Sequence, residues 1–205
     1  MAHVPASERR PQLVRAAIDL MGREGIAAGS TRAIATELGV AQATVHYTFG
    51  TKEGLYRAVL EQVTLDLIER VRQAVPADGT FEQTLGALAA AQWRTVREQP
   101  NHYQLLTELL LYAVRTPALS DAPRSHYGEI VEVTADLIGE AAQRTGRTLA
   151  QSPALLARFY LAGFEGLVAQ HVALPDEASE QAGLRNLVAA LLALADGRLD
   201  PAQPA

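Results

Sequence analysis

The chain has 205 residues, of which 48% are hydrophobic and 20% charged, and its formal net charge is −5. This apolar content is ample for a packed core, and the lack of Cys excludes a disulfide scaffold, a thiolate metal site and a Cys nucleophile. Neither a basic and apolar leader nor an apolar run of about 18 residues occurs, so we expect a cytoplasmic protein without a membrane span.

The charged residues are distributed unevenly along the chain. Residues 1–60 hold seven Lys or Arg against five Asp or Glu, whereas the remaining residues hold eleven against eighteen. This asymmetry predicts a weakly cationic N-terminal part and an acidic body. Non-specific affinity of the cationic part for nucleic acid should therefore be modest and sensitive to salt.

The N-terminal segment predicts three helices in close succession. Residues 1–9 are expected to form a loose arm, and apolar residues recur at helical spacing over residues 11–24. Two short helices are predicted over residues 31–38, with Thr31 as the N-cap, and over residues 41–49. Gly39 between them supplies a left-handed backbone position that ends a helix at low cost.

The helix over residues 41–49 has sides of different character. At about 100° per residue, Ala41, Val45 and Phe49 share one side and are expected to pack inward, whereas Ala43 and Tyr47 point the opposite way. The outward side carries no carboxylate. A helix about 10–12 Å across fits the major groove of B-DNA, which is about 12 Å wide. The pattern predicts a helix-turn-helix whose second helix enters the groove.

The predicted DNA-binding residues are small, hydroxyl, amide, aromatic or cationic. Gln reads adenine edges, Thr and Ala contact thymine methyl groups, and hydroxyl and Lys side chains reach phosphates. Arg32 is equally consistent with a solvated arginine. The set comprises Thr31, Arg32, Gln42, Ala43, Thr44, His46, Tyr47, Thr51 and Lys52.

The run from Thr31 to Leu55, TRAIATELGVAQATVHYTFGTKEGL, resembles the DNA-binding region of the TetR family of bacterial transcriptional regulators. A constellation over some two dozen positions is far more specific than a single helix-turn-helix pattern. The sequence departs from the family pattern at three positions. Ala41 replaces a common Ser, His46 replaces a usual Tyr, and Thr48 replaces a usual His or Tyr. The resemblance implies a regulator whose C-terminal body binds a small-molecule inducer.

A long helix is predicted from Lys52 to Val75, because apolar residues recur every four positions at Leu55, Val59, Val63, Leu67 and Val71. The loop over residues 76–79 is the best domain boundary. Five further helices are predicted over about 80–98, 101–115, 124–145, 152–172 and 176–197. The tail over residues 200–205 is expected to be disordered.

The predicted fold is therefore all-α with about nine helices. Residues 1–55 are expected to form an N-terminal three-helix helix-turn-helix domain, whose last helix continues to about residue 75. Residues 56–205 are expected to form a C-terminal helical bundle for ligand binding and dimerisation.

The last two predicted helices carry small and leucine-rich stripes. Two such helices from each subunit could form a four-helix interface, and the alternative is that both stripes pack within one monomer. Reading DNA with a short helix favours a two-fold homodimer with half-sites about 34–36 Å apart. The predicted interface residues are Gly163, Gly166, Leu184, Leu187, Val188 and Leu191.

Amphipathic aromatic residues concentrate in the body. They combine apolar area with polar tips, which suits a cavity among helices, although for each residue alone an ordinary core position is the better interpretation. The scarcity of cations in the apolar helices favours a neutral, hydrophobic ligand. The predicted pocket residues are Trp93, His102, Tyr103, Tyr112, His126, Tyr127, Phe159 and Phe164.

The sequence gives little indication of metal binding, cofactor binding or catalysis. No metal site, cofactor or catalytic residue is predicted, because the His residues are scattered and no phosphate loop, nucleophile elbow or buried carboxylate pair occurs. The favoured interpretation is a repressor of double-stranded operator DNA that a small, mostly apolar effector releases. One alternative is a helical small-molecule-binding protein or enzyme with a vestigial DNA-binding motif, and another is an activator.

Overall fold

The computed structural model describes residues 6–76 and 78–199, and within them the chain forms nine α-helices and no strand. The all-α prediction is confirmed. None of the described helices is long and apolar enough to cross a membrane. The helices are α1 Ala6–Glu24, α2 Thr31–Glu37, α3 Gln42–Phe49, α4 Lys52–Ala74, α5 Phe81–Glu98, α6 Pro100–Val114, α7 Ala122–Arg144, α8 Pro153–Ala173 and α9 Glu177–Ala195, with short 3₁₀ turns at Ile26–Ala28 and Pro117–Leu119.

Helix α1 begins earlier than the sequence pattern indicates. It starts at Ala6, so the predicted loose arm is wrong for residues 6–9, while residues 1–5 lie outside the described part of the chain. Glu8 in the first turn interacts favourably with the helix dipole. Pro11 lies inside the helix, where it removes one backbone hydrogen bond close to the N-terminal end. The predicted disordered tail over residues 200–205 also lies outside the described residues.

Helix α2 is capped by the residue before the predicted cap. Ser30 has an extended backbone, and its side-chain oxygen accepts the Ala33 N–H at 3.1 Å. Thr31 is therefore the first helical residue and not the N-cap, and its hydroxyl is available for other contacts. Two later helices also have side-chain caps: Thr80 and Gln83 form a capping box at α5, and the side chain of Ser152 caps α8.

Helix α4 has the predicted apolar face. All five of its members are buried, and the fraction exposed does not exceed 9% for any of them: Leu55, Val59, Val63, Leu67 and Val71. A continuous apolar stripe of this kind stabilises a long helix by burial along its whole length.

The contacts divide the chain into two compact units. The first comprises the residues up to Leu67 together with Glu98–Tyr127, and the second comprises Ile68–Arg97 together with the residues from Gly128 onward. The boundaries between the units fall inside α4, α5 and α7. This division differs from the one expected from the sequence, so the assignment of residues 1–55 and 56–205 to separate roles stays a prediction.

In the second unit, α8 and α9 pack closely against each other. A Cβ atom built on Gly163 would lie 2.5 Å from Leu187 Cδ1 of the same chain, so the missing side chain lets α9 approach. Leu184, Leu187 and Leu191 are also buried within the single chain. Four of the six residues predicted for the dimer interface therefore pack within one monomer. Gly166 is exposed and Val188 is half-buried.

Candidate DNA-binding interface

A tight turn joins α2 to α3. Gly39 has φ +65°, its N–H donates to Thr36 O at 3.1 Å, and the Val40 N–H donates to Ala35 O at 2.9 Å. These two bonds form a Schellman motif, which satisfies the last carbonyls of α2 while the chain reverses. The turn therefore sets the angle at which α3 leaves α2, as Gly39 predicts.

The two sides of α3 differ sharply in exposure. Val45 is fully buried, Phe49 is half-buried, and Tyr47 is 92% exposed on the opposite side. The guanidinium carbon of Arg10 lies 5.8 Å from the centre of the Phe49 ring, so a side chain of α1 contacts this inward side. The inward orientation predicted for Ala41 is wrong, because Ala41 is the exposed, extended N-cap of α3 and has no side chain able to accept a capping bond.

The outward side of α3 carries most of the predicted base-reading residues. Gln42, Ala43, His46 and Tyr47 are exposed, and Thr44 is half-buried. Gln42 Nε2 donates to Thr31 Oγ1 at 3.3 Å, and this bond holds the Gln42 side-chain amide against the first residue of α2. His46 Nδ1 lies 3.3 Å from Gly50 O at the C-terminal end of α3.

The start of α4 places a second set of polar groups beside α3. Gly50 has φ +72°, and Thr51 Oγ1 accepts the Gly54 N–H at 3.0 Å, so Thr51 caps α4. The hydroxyl hydrogen of Thr51 is still free to reach a phosphate. Lys52, the only lysine of the chain, is exposed, and its ammonium lies 4.9 Å from the centre of the Tyr56 ring.

The environment of Lys52 keeps it charged. A hydrogen bond with the Tyr56 hydroxyl raises the pKa of Lys52, and burial raises the pKa of Tyr56. Tyr56 was not among the predicted site residues, although its position one helical turn after Lys52 could have indicated the contact. On α2, Arg32 is exposed, and the Glu37 carboxylate is paired with Arg23 at 2.8 Å. The one carboxylate of α2 is therefore paired with a cation, while the Arg32 and Lys52 side chains are exposed.

The predicted pocket residues take separate roles in the two units. In the first unit, His126 is buried with Nδ1 2.8 Å from Thr64 Oγ1, and the Tyr112 ring packs 5.3 Å from the Tyr56 ring. His102 lines an open cleft of about 290 Å³ formed by residues 18, 19, 22, 23 and 98–102, and neither Tyr103 nor Tyr127 lines it. Tyr112 thus lies beside the predicted DNA contacts, where a pocket residue was not expected.

In the second unit, the rings of Trp93 and Phe164 are both buried and meet edge to face with centroids 6.0 Å apart. Among the described residues, the Trp93 indole N–H is buried without a hydrogen-bond partner. Phe159 is 40% exposed on α8 and does not belong to the core of this unit. No group of three or more His, Asp or Glu side chains able to hold a metal ion occurs within residues 6–76 and 78–199.

Comparison with known proteins agrees with this geometry. The family model of bacterial regulatory proteins of the tetR family matches residues 13–59, which span α1 to the first turns of α4. A nicotine-responsive transcriptional repressor, HdnoR of Paenarthrobacter nicotinovorans, is 26% identical over 185 residues, or 90% of this chain and 94% of that protein. The transcriptional activator FasR of Mycolicibacterium smegmatis is 31% identical over 105 residues, about half of either chain.

Solved structures extend the likeness over nearly the whole fold. The multidrug binding protein EbrR complexed with ethidium is 28% identical, with a TM-score of 0.71 over 92% of this chain and 99% of that one. The fold and the exposed side of α3 define a helix-turn-helix DNA-binding protein. Residues 13–59 match the tetR family of bacterial regulatory proteins, and the chain is a transcriptional regulator.

Proposed function

We propose that this chain is a homodimeric repressor that binds a palindromic operator and leaves it when a small ligand binds. The exposed side of α3 carries the proposal: Tyr47 is 92% exposed, Val45 on the other side is fully buried, and α3 itself has no carboxylate. This side therefore offers an aromatic ring and polar groups to a partner, and the major groove accommodates a helix of this size. A regulator acting on chromosomal DNA works in the cytoplasm.

The predicted DNA contacts fall into two groups. Gln42, Ala43, Thr44, His46 and Tyr47 face the base edges, and the hydroxyls of Thr31 and Thr51 and the Lys52 ammonium hold phosphates. Arg32, on the first turn of α2, completes the phosphate contacts. This assignment makes residues 1–55 the DNA-binding domain and residues 56–205 the ligand-binding and dimerisation domain.

A stripe on α8 supports the homodimer. Leu155, Phe159, Ala162, Gly166, Ala169 and Ala173 recur at alternating intervals of four and three residues and are all exposed. This is the spacing at which one helix presents a continuous apolar seam to a partner helix. The proposed interface therefore centres on this exposed stripe. Of the interface residues predicted from the sequence, Gly166 belongs to the stripe. Two copies related by a two-fold axis would present two copies of α3 to adjacent half-sites.

The proposed effector is a small, mostly apolar molecule that carries a hydrogen-bond acceptor. The buried Trp93 N–H has no partner, and an acceptor on a ligand would remove the cost of about 1–3 kcal/mol of leaving that donor unpaired. The response of HdnoR to nicotine and the binding of ethidium by EbrR make a nitrogen heterocycle a reasonable first choice. To release the operator, the ligand must prefer the non-binding subunit arrangement by several kcal/mol, roughly 5 for a nearly complete shift.

Operator binding is tested after selecting DNA fragments that the wild-type protein retains. Tyr47→Ala combined with Lys52→Ala should abolish the gel shift, and Arg94→Ala, which removes an exposed cation from α5, should leave it unchanged. Lys52→Ala alone should lower the salt slope of log K by about 0.9 per subunit. An unaltered shift by the double variant would defeat the assignment of α3.

The single lysine permits an independent footprint. Acetylation of Lys52, followed by mass spectrometry, should slow markedly when the operator is present and not when a scrambled duplex of the same length is added. Equal rates with both duplexes would show that Lys52 does not approach the phosphate backbone.

The effector is tested through the single tryptophan, because emission excited at wavelengths where the six tyrosines do not absorb reports Trp93 alone. Nitrogen heterocycles are titrated while Trp93 emission and operator release are followed in the same samples. Agreement between the two midpoints supports the proposal, whereas binding without release would indicate a helical ligand-binding protein. A reporter gene downstream of the operator distinguishes repression from activation.

A further inference from the structure

Both backbone polar groups of Ile26, in the short turn between α1 and α2, are bound by side chains from distant parts of the first unit. The Ile26 N–H donates to Glu108 Oε2 of α6 at 3.1 Å. The Ile26 carbonyl accepts the Tyr56 hydroxyl of α4 at 2.6 Å. Since only residues 27–30 separate Ile26 from α2, the position of Ile26 sets where the helix-turn-helix begins.

The same face of α6 also reaches the other end of the helix-turn-helix. Tyr112 lies one helical turn after Glu108, and its ring meets the Tyr56 ring edge to face with centroids 5.3 Å apart. The Lys52 ammonium lies 5.9 Å from the centre of the Tyr112 ring. One turn of α6 therefore contacts Ile26, in the turn before α2, and the first two turns of α4.

The hydrogen bond from Ile26 to Glu108 and the ring contacts of Lys52 both restrict the positions of the groups they join. A carboxylate that accepts a backbone N–H makes a charge-assisted bond, which is shorter and stronger than a neutral one. Ile26 and Glu108 are both half-buried, so water replaces this bond only in part. The Tyr56 and Tyr112 rings restrict the flexible Lys52 side chain through their faces, which attract a cation.

We propose that Glu108 and Tyr112 are positioning residues for operator binding. Glu108 holds Ile26, and Tyr112 holds Tyr56 and Lys52, so that α3 and the start of α4 are presented to DNA in a fixed relation. Neither side chain touches DNA in this scheme. The inference rests on the proposed function, because it assigns the two residues a part in operator recognition.

The test of Glu108 compares Glu108→Leu with Glu108→Gln, which retains an oxygen able to accept the Ile26 N–H. Amide exchange of Ile26 is followed by NMR, and operator affinity is measured by anisotropy across salt concentrations. In Glu108→Leu we expect exchange of the Ile26 amide to accelerate and operator affinity to fall about tenfold, as the loss of one charge-assisted bond implies. Glu108→Gln should keep most of the wild-type protection of the Ile26 amide and most of the operator affinity. In both variants the dependence of log K on salt concentration should stay unchanged, because no phosphate contact is lost.

Tyr112 is tested in the same way with Tyr112→Phe and Tyr112→Leu. The ring alone contacts Tyr56 and Lys52, so Tyr112→Phe should match the wild type and Tyr112→Leu should bind the operator several-fold more weakly. Thr107→Leu, which adds a leucine at an exposed position of α6, is the control for general disturbance of that helix. Circular dichroism and thermal unfolding establish that each variant is folded.

Each outcome decides the inference. Wild-type affinity in Glu108→Leu despite faster exchange of the Ile26 amide would overturn it, as would an equal loss of affinity in Thr107→Leu or a lowered salt slope in Glu108→Leu. A Glu108→Leu protein that does not fold leaves the decision to Tyr112→Leu. If the wild-type protein retains no DNA fragment, the proposed function fails and this inference fails with it. If the wild type binds and both leucine variants bind equally well, this inference alone fails.

Discussion

Gly54, in the first turn of α4, lies where the chain leaves α3, and we predict that Gly54→Ala weakens operator binding. A Cβ atom built there would lie 2.3 Å from the Phe49 carbonyl oxygen. The contact is with backbone at the C-terminal end of α3, which cannot rotate away as a side chain can. The substitution therefore forces the end of α3 and the start of α4 apart.

The size of the expected destabilisation follows from the distance between the added Cβ atom and the Phe49 carbonyl oxygen. Real Cβ atoms rarely approach another atom within 3.0 Å, so the Phe49 carbonyl or α4 must move by at least about 0.7 Å. Overpacking of this kind costs roughly 1–3 kcal/mol, and the better helix propensity of Ala returns about 0.5–1 kcal/mol. We expect a net loss of unfolding free energy of about 1–2 kcal/mol and an operator affinity at least tenfold lower, because α3 is displaced directly.

Chemical denaturation and anisotropy with the selected operator measure the two effects. Gly86→Ala is the matched control, since Gly86 lies inside α5 and a Cβ atom there meets nothing within 4 Å. It should raise the unfolding free energy by about 0.5–1 kcal/mol and leave operator affinity unchanged. If Gly54→Ala gained stability as Gly86→Ala does and bound the operator normally, the close approach of α4 to Phe49 would not exist in solution.

Two further predictions concern buried polar groups. Burial lowers the pKa of His126 to about 4 from 6.5, so the folded state disfavours the proton that the unfolded state binds. The unfolding free energy should therefore be level above pH 6.5 and fall by on the order of 3 kcal/mol between pH 6.5 and 4, and His126→Gln should flatten this dependence in urea titrations. The Tyr160 hydroxyl donates to Gln92 Oε1 at 2.6 Å in a buried site, so Tyr160→Phe should cost about 1–3 kcal/mol by leaving that oxygen unpaired. Tyr160→Phe combined with Gln92→Leu should recover part of the loss, and no recovery would contradict the pairing.

The parts of the fold that depend on local pattern could be predicted from the sequence. The apolar repeat of α4, the glycine that ends α2 and the caps Thr51 and Ser152 are encoded within a few residues of where they act. The cap of α2 was misplaced by one residue because Ser30 and Thr31 are both good capping residues. Only the backbone conformation at residue 30 distinguishes between them.

Contacts between residues far apart in the chain could not be predicted in the same way. Tyr112 has the amphipathic character of a pocket residue, but its partners Tyr56 and Lys52 precede it by more than fifty residues. Gly163 marks a close approach of two helices, and the sequence cannot show whether the second helix belongs to the same chain; the structure places Leu187 there. Composition identifies residues that make such contacts, whereas tertiary packing decides with which partner.

The single anchoring side chain of α3 has an evolutionary consequence. Val45 is its one fully buried residue, so the folding free energy depends little on the identities of its neighbours at Gln42, Ala43 and Tyr47. Mutational drift at those positions can therefore explore new promoter sequences while the scaffold is retained. The same separation makes this helix a convenient place to graft altered sequence preferences by library selection.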